Sequence, residues 1–318
     1  MLDLISLYDL TREEILDLID LAIDLKTKQH RGEAHRLLEG QTLALIFEKP
    51  SLRTRVTFET GIFQLGGQAL MIHAENKRLG ERESIPDVAH NLERWVDAIM
   101  ARTFSHSAVV ELAQCASIPV INGLTDALHP VQVLADALTL REHKGTIEGL
   151  KIAWVGDGNN VCASWLNLAT RLKLDVTVVC PEGYEVAPTI LARAQSEGKG
   201  GIVQTHDIAS GVAGADCIYT DTWASMGQEA EAAERRQSFA PFQVNAKLMS
   251  LAKPDALFMH CLPAHRGEEV TDEIMDGPHS VVFDEAENRL HAQKAVMVRL
   301  MQKGPDGLSP KRRARKGA

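Results

Sequence analysis

The stretch TLALIFEKPSLRTRVTFETGIFQLGG (residues 42–67) decides the fold, because it reads as a strand, a turn and a helix in direct succession. Thr42 to Phe47 is a short apolar run, and Pro50 and Ser51 mark a turn. Beyond it Val56, Phe58, Ile62, Phe63 and Leu65 recur at roughly helical spacing until Gly66 and Gly67 stop the pattern. A Ser-led helix start offers unpaired backbone N–H groups and the positive end of the helix dipole. Acidic residues normally sit there, yet this turn concentrates Lys49, Arg53 and Arg55. The expected occupant is a dianion such as a phosphate; the alternative is a basic helix start on a solvated surface.

Working outward, the same alternation fills the chain. Residues 69–73, 97–102 and 119–123 read as further strands before the helical segment HPVQVLADALTLREH (129–143). Residues 151–157, 175–180, 201–206, 216–221 and 256–261 read as strands after it, with helices between. Thr11 and Glu14 form the capping pattern of a first amphipathic helix, and residues 286–302 form a last one after a strand at SVVFD (280–284). Apolar strands alternating with helices predict α/β architecture: two doubly wound parallel-sheet domains linked by long helices. A length of 318 residues supports two domains of about 150 each. The expected boundaries are 1–138, completed by a returning helix over about 288–303, and 149–287. The basic tail 304–318, with almost nothing apolar to bury, is expected to be disordered.

The net charge of −9 argues against nucleic acid or an anionic membrane as partner, so any phosphate site must be a local positive pocket. No apolar run approaches the ~18 residues of a membrane span, and the acidic N-terminus is unlike a targeting peptide. Five cysteines without CxxC spacing read as reduced thiols of a cytoplasmic protein rather than as metal ligands.

In parallel sheets ligands bind beyond the carboxyl ends of the strands, and the polar motifs cluster there. Ser51–Arg55, Arg102 and His129–Gln132 follow strands of the first half; GDGNN (156–160), DTWASMGQE (221–229) and HCLP (260–263) follow strands of the second. GDGNN lacks the full dinucleotide pattern and its usual acidic ribose partner, so Asn159 and Asn160 read as amides facing a small polar ligand, or as an Asx turn. His129, before Pro130 at a helix start, suits a neutral imidazole donating to a carbonyl, or a simple cap. Cys261 is a candidate thiol or an inert core residue. Asp221 and the hydroxyl of Ser225 suit a ligand carrying an ammonium and a carboxylate. Cations for a phosphate in one half and amino-acid contacts in the other describe a transferase with a substrate on each side of a cleft.

SLRTR, HPVQVLAD, DTWASMGQE and HCLPAHRGEEV together resemble the ornithine carbamoyltransferases, over nearly the whole chain except the basic tail. The first two motifs are shared with aspartate carbamoyltransferases; HCLP with AHRG, and the SMG loop, point to ornithine. The resemblance implies that Ser51, the backbone of Leu52, Arg53, Thr54 and Arg102 hold the phosphate of carbamoyl phosphate. It implies that Thr54, Arg102 and His129 polarise the carbonyl, and that Gln132, the Leu262 carbonyl and Arg289 complete that half. Asn160, Asp221, Ser225 and Met226 would grip ornithine, with Cys261 beside the attacking amine. Arg78 stands where the family usually has Gln or His reaching a neighbouring subunit's site, and Leu52 replaces a more usual Thr. A homotrimer, no metal and no organic cofactor are further implications. Another amine acceptor (aspartate, putrescine or an acylated ornithine) or an inactive binding protein are the competing readings.

Overall fold

The computed structural model describes residues 1–73, 78–224 and 229–316. Two compact units emerge, Met1–Leu138 with Asn288–Ala318, and Thr139–Glu287.

In the first unit, α1 (Arg12–His30) begins with the capping box read from Thr11 and Glu14. The strands β1 (Thr42–Phe47), β2 (Gln68–His73), β3 (Ala98–Arg102) and β4 (Val120–Leu124) alternate with α2 (Leu52–Gln64), α3 (Ile85–Trp95) and α4 (His106–Cys115). They pair in parallel in the order β2-β1-β3-β4, so the winding reverses between β1 and β3. Helix α5 (Pro130–Lys144) leads out of this unit. A core of Ile46, Leu92, Ile99, Val109 and Val120 joins α3 and α4 to one sheet face.

The second unit carries β5 (Lys151–Val155), α6 (Asn160–Ala169), β6 (Asp175–Val179), α7 (Pro188–Glu197), β7 (Ile202–Thr205), α8 (Ile208–Val212) and β8 (Cys217–Thr220). Then come α9 (Ala232–Phe239), α10 (Ala246–Met249), β9 (Leu257–His260) and α11 (Asp272–Met275). Its parallel sheet runs β7-β6-β5-β8-β9, reversing between β5 and β8. Trp154 on β5 stacks on Tyr219 of β8 at 5.0 Å, and Trp165 of α6 meets the same ring edge-on. Helix α12 (Val282–Met301) carries the chain back to the first unit, and α13 (Pro310–Lys316) follows. Among the described residues no helix is long and apolar enough to cross a membrane.

Two expectations need correction. SVVFD is not a strand: Ser280 makes one isolated bridge to Phe258, and α12 starts at Val282. Asp284 and Glu285 in its first turn suit a helix N-terminus and outweigh the β-propensity of the valines.

The basic tail is not disordered over 310–316. Buried Lys311 donates to Asp3 and to the Ala113 carbonyl at 2.7 Å each, Arg315 to the Gln114 carbonyl at 2.6 Å and Arg312 to the Glu93 carbonyl at 2.5 Å. The tail thus caps the carbonyl ends of α3 and α4 with cations. Counting apolar residues could not reveal an anchoring made of charged hydrogen bonds.

Candidate active site

Both reversal points carry the polar motifs. In the first unit Ser51 is the N-cap of α2, its hydroxyl accepting the Thr54 N–H at 3.3 Å. Arg102 ends β3 at a register shift against β4, and His129 immediately precedes α5. The buried Thr54 hydroxyl gathers the site: it accepts from Arg289 Nη2 at 2.8 Å and from Arg102 Nη1 at 3.2 Å. With both lone pairs engaged, its own proton is left to donate. Arg289 Nη1 also donates to Gln132 Oε1, and Gln132 Nε2 donates to Asp136 at 2.8 Å. His129 is buried, and burial with the charges of Arg289, Arg102 and Arg53 holds its pKa well below the usual histidine range. It is therefore a neutral donor among guanidinium groups. Leu52, by contrast, turns its side chain to solvent at 75% exposure, leaving its backbone as the part able to face a ligand.

The cations of the opening stretch separate. Arg55 is exposed and paired with Glu59 at 3.2 Å one helical turn on, while Arg53, two residues before it, is half-buried. Lys49 is buried, ion-paired with Asp126 and 4.3 Å from the Phe104 ring centroid, so it is a structural cation. Arg78 lies exposed over the same ring at 5.2 Å.

In the second unit Asp221 follows β8. Its carboxylate accepts from Asn159 Nδ2 at 2.8 Å, from the Thr222 N–H at 2.8 Å and from the Cys261 thiol at 3.1 Å. Asn159 is also the N-cap of α6, so the Asx reading is correct for it; Asn160 is the first residue of that helix. Ser225 and Met226 lie outside the described residues.

Sequence reasoning missed what holds the HCLP turn. The Leu262 N–H donates to His260 Nδ1 at 2.9 Å, so that nitrogen is the acceptor and Nε2–H donates to buried Glu269 at 2.9 Å. The His260 N–H meets Glu285, also bound by the Tyr219 hydroxyl, both at 3.0 Å. Leu262 is held at φ +59°, a left-handed conformation that a non-glycine residue adopts only when its surroundings impose it. Asp221, His260 and Cys261 place metal-type ligand atoms within 4.8 Å of one another, but both His260 nitrogens are already engaged. Of the three, Cys261 and Asp221 are bonded to each other, while His260 belongs to the hydrogen bonds that hold the turn. Glu268-Glu269 after HRG was the legible signal for this support. Asp157, half-buried against Arg235 at 3.1 Å, was missed too; desolvation pushes its pKa up to about 6.

Chemically, the first unit offers clustered cations with two neutral donors, and the second a carboxylate beside a thiol and amides. A family model for the carbamoyl-P binding domain of the aspartate/ornithine carbamoyltransferases matches residues 2–142. One for their Asp/Orn binding domain matches residues 148–300. The chain belongs to the aspartate/ornithine carbamoyltransferase family.

Within that family its similarity is to the ornithine enzymes. It is 55% identical over 302 residues to the ornithine carbamoyltransferase of Thermococcus kodakarensis, covering 94% of this chain and 96% of the relative. Identity and coverage are the same for the anabolic ornithine carbamoyltransferase of Pyrococcus furiosus, at 55%, 94% and 96%. A solved Pyrococcus furiosus ornithine carbamoyltransferase superposes with a TM-score of 0.91 over 94% of this chain and 96% of that one, at 55% identity. The structure from Thermus thermophilus gives 0.85 at 45% identity, covering 95% and 99%.

Proposed function

We infer that this chain transfers the carbamoyl group of carbamoyl phosphate to the δ-amino group of L-ornithine, giving L-citrulline and phosphate. The observation that carries the reading is the Thr54 hydroxyl, fixed by Arg102 and Arg289 beside a neutral His129. In the reaction the neutral amine attacks the carbonyl carbon, the carbon–oxygen bond to phosphate breaks, and phosphate leaves with the electron pair and accepts the amine's proton. Ser51, the Leu52 N–H, Arg53 and Arg102 take the phosphate. Thr54 O–H, His129 N–H and Arg102 take the oxyanion, the term that usually contributes most. Gln132 and the Leu262 carbonyl orient the carbamoyl NH₂, and Arg289 holds Thr54 and Gln132 in place. Asp221, Asn160, Ser225 and Met226 hold ornithine, while Cys261 orients the amine through its bond with Asp221. Direct attack by the amine leaves no role for a thiol nucleophile, and neither a metal nor an organic cofactor enters the scheme.

The high identity to ornithine carbamoyltransferases, one of them named anabolic, supports ornithine as acceptor and the biosynthetic direction. Citrulline or the corresponding carbamoyl product should be measured with ornithine, aspartate and putrescine side by side. Ornithine should be preferred by two or more orders of magnitude in kcat/KM; faster carbamoylation of either other amine overturns the assignment.

The proposed assembly is a homotrimer, supported by exposed Leu52, Val56 and Phe63 (75%, 48% and 73%) at helical spacing on α2. Arg78 is proposed to serve a neighbouring copy's phosphate site. Light scattering at a mass below a trimer of 34.9 kDa chains refutes the assembly. Cytoplasmic residence is the matching proposal, supported by five cysteines held as thiols.

A further inference from the structure

We propose that Arg235 is the positioning residue of the acceptor half of the site, tying the loop that carries Asp221 to the loop that carries Asn159 and Asn160. Arg235 is buried on α9. Its Nη1 donates to Asp157 Oδ2 at 3.1 Å and to the Trp223 carbonyl at 3.0 Å. Asp157 lies two residues before Asn159, and Trp223 two residues after Asp221. One nitrogen therefore spans both loops at the reversal point between β5 and β8.

The rest of the side chain fixes that nitrogen. Nε donates to Glu231 at 3.0 Å, and the guanidinium lies over the Tyr184 ring at 5.0 Å. Phe239 packs between Tyr184, at 4.6 Å, and Trp223, at 5.9 Å, so the aromatic shelf belongs to the same assembly. A planar fork gripped on three sides transmits position as a flexible ammonium does not.

The loop after β5 has a second support. Gly158 lies so close to the 185–186 backbone that a Cβ there would meet Val186 N at 2.3 Å and the Glu185 carbonyl carbon at 2.5 Å. Loss of Arg235 should therefore displace the Asp221–Trp223 turn rather than the Asn159 loop. Asp221 would lose its register with Asn159 and Cys261. Arg235 is also the cation that balances Asp157 against the neighbouring Asp221 and Glu231.

The inference rests on reading Asp221 and Asn160 as the ornithine grip, which Asp221→Asn tests alone. The experiment is steady-state kinetics of full-length Arg235→Leu and Arg235→Lys, varying each substrate separately. Leu should raise the ornithine KM about tenfold or more, with carbamoyl phosphate KM within about twofold and kcat within about fivefold. Lys should do less harm, about threefold, because its ammonium reaches one loop but not both. Unchanged ornithine KM in both variants overturns the proposal, as does a parallel rise of both KM values with falling kcat. Should Leu fail to fold, Asp157→Asn decides: a rise of about threefold or more in ornithine KM alone supports the tie, and an unchanged KM overturns it. If Asp221→Asn impairs ornithine use and the Arg235 variants do not, only the positioning role fails. If Asp221→Asn has no effect, the grip itself is wrong.

Discussion

Thr54→Val keeps the branched shape of the side chain and removes one oxygen, the atom on which Arg102 and Arg289 converge at 3.2 and 2.8 Å. In the free enzyme the variant leaves two guanidinium N–H donors facing a methyl group at a fully buried position. A hydrogen bond to a charged group contributes about 1.5–3 kcal/mol, so after partial relaxation about 2–4 kcal/mol of stability should be lost. Carbamoyl phosphate brings its own acceptor oxygens, so it should protect the variant against thermal unfolding more than it protects wild type. In the proposed reaction the chemical step also loses something the ligand cannot restore, the donor for the developing oxyanion. By analogy with removal of other oxyanion donors, kcat should fall about 10²–10³-fold. The carbamoyl phosphate KM should move by less than about fivefold, because the cations remain. Initial rates of citrulline formation at saturating ornithine, with melting curves with and without carbamoyl phosphate, measure all three. A kcat within about threefold of wild type refutes the role of the hydroxyl. A large rise in KM at constant kcat would show that it shapes only the ground-state pocket.

Cys261→Ser should retain measurable activity with a changed ornithine KM, since a hydroxyl can also donate to Asp221; a carbamoyl-thioester trapped on the wild-type enzyme refutes this. His129 titrates below its ordinary 6.5 when folded, so the unfolded chain binds more protons as pH falls beneath that value and stability falls with it. His129→Gln should flatten this acid-side slope by up to about 1.4 kcal/mol per pH unit, and denaturant unfolding between pH 5 and 7 with an unaltered slope refutes it. Deleting 304–318 strips Lys311 from Asp3 and the cations from the α3 and α4 carbonyls. It should cost about 2–4 kcal/mol in thermal or denaturant unfolding while sparing citrulline formation at 25 °C, and an unchanged midpoint refutes it.

Much of the fold was legible because parallel strands announce themselves by apolar content, and nine of the ten runs read as strands are β1 to β9. The SVVFD run misled because buried Val281 and Val282 followed by Phe283 look like strand residues, and only the acidic pair behind them marks the helix start. Within the candidate site, Ser51, Thr54, Arg102, His129 and Cys261 were visible from their places after strands. What could not be read was how charge is divided among neighbours in space. Arg53 and Arg55 look alike in sequence, yet Arg55 faces Glu59 on the surface. Glu285 and Arg235 carry no motif of their own, and the motifs that contain Glu269 and Asp157 do not name their partners. Their roles arise from partners 9, 25, 78 and 12 residues away, which composition and periodicity do not connect.

The arrangement of the first unit also explains why a histidine should stand among arginines. Carbamoyl phosphate carries its dianion one anhydride oxygen away from the carbonyl that must be activated. A cation bound equally to ground and transition states lowers KM without raising kcat. Selective stabilisation needs donors whose bonds strengthen as charge moves onto the carbonyl oxygen, and neutral groups do this best when already fixed in place. Thr54 is fixed by two guanidinium groups, and His129 is kept neutral by burial and by Arg289, Arg102 and Arg53. In the proposed reaction Arg53 and Arg102 thus act twice, as phosphate ligands and, with Arg289, as the field that holds the imidazole in its donor form. Removing Arg53 or Arg102 should weaken phosphate binding, and removing any of the three should let the His129 pKa rise toward its ordinary value. Arg53→Ala should therefore add an acid limb to kcat that wild type lacks, and that limb separates the field effect from the lost contact.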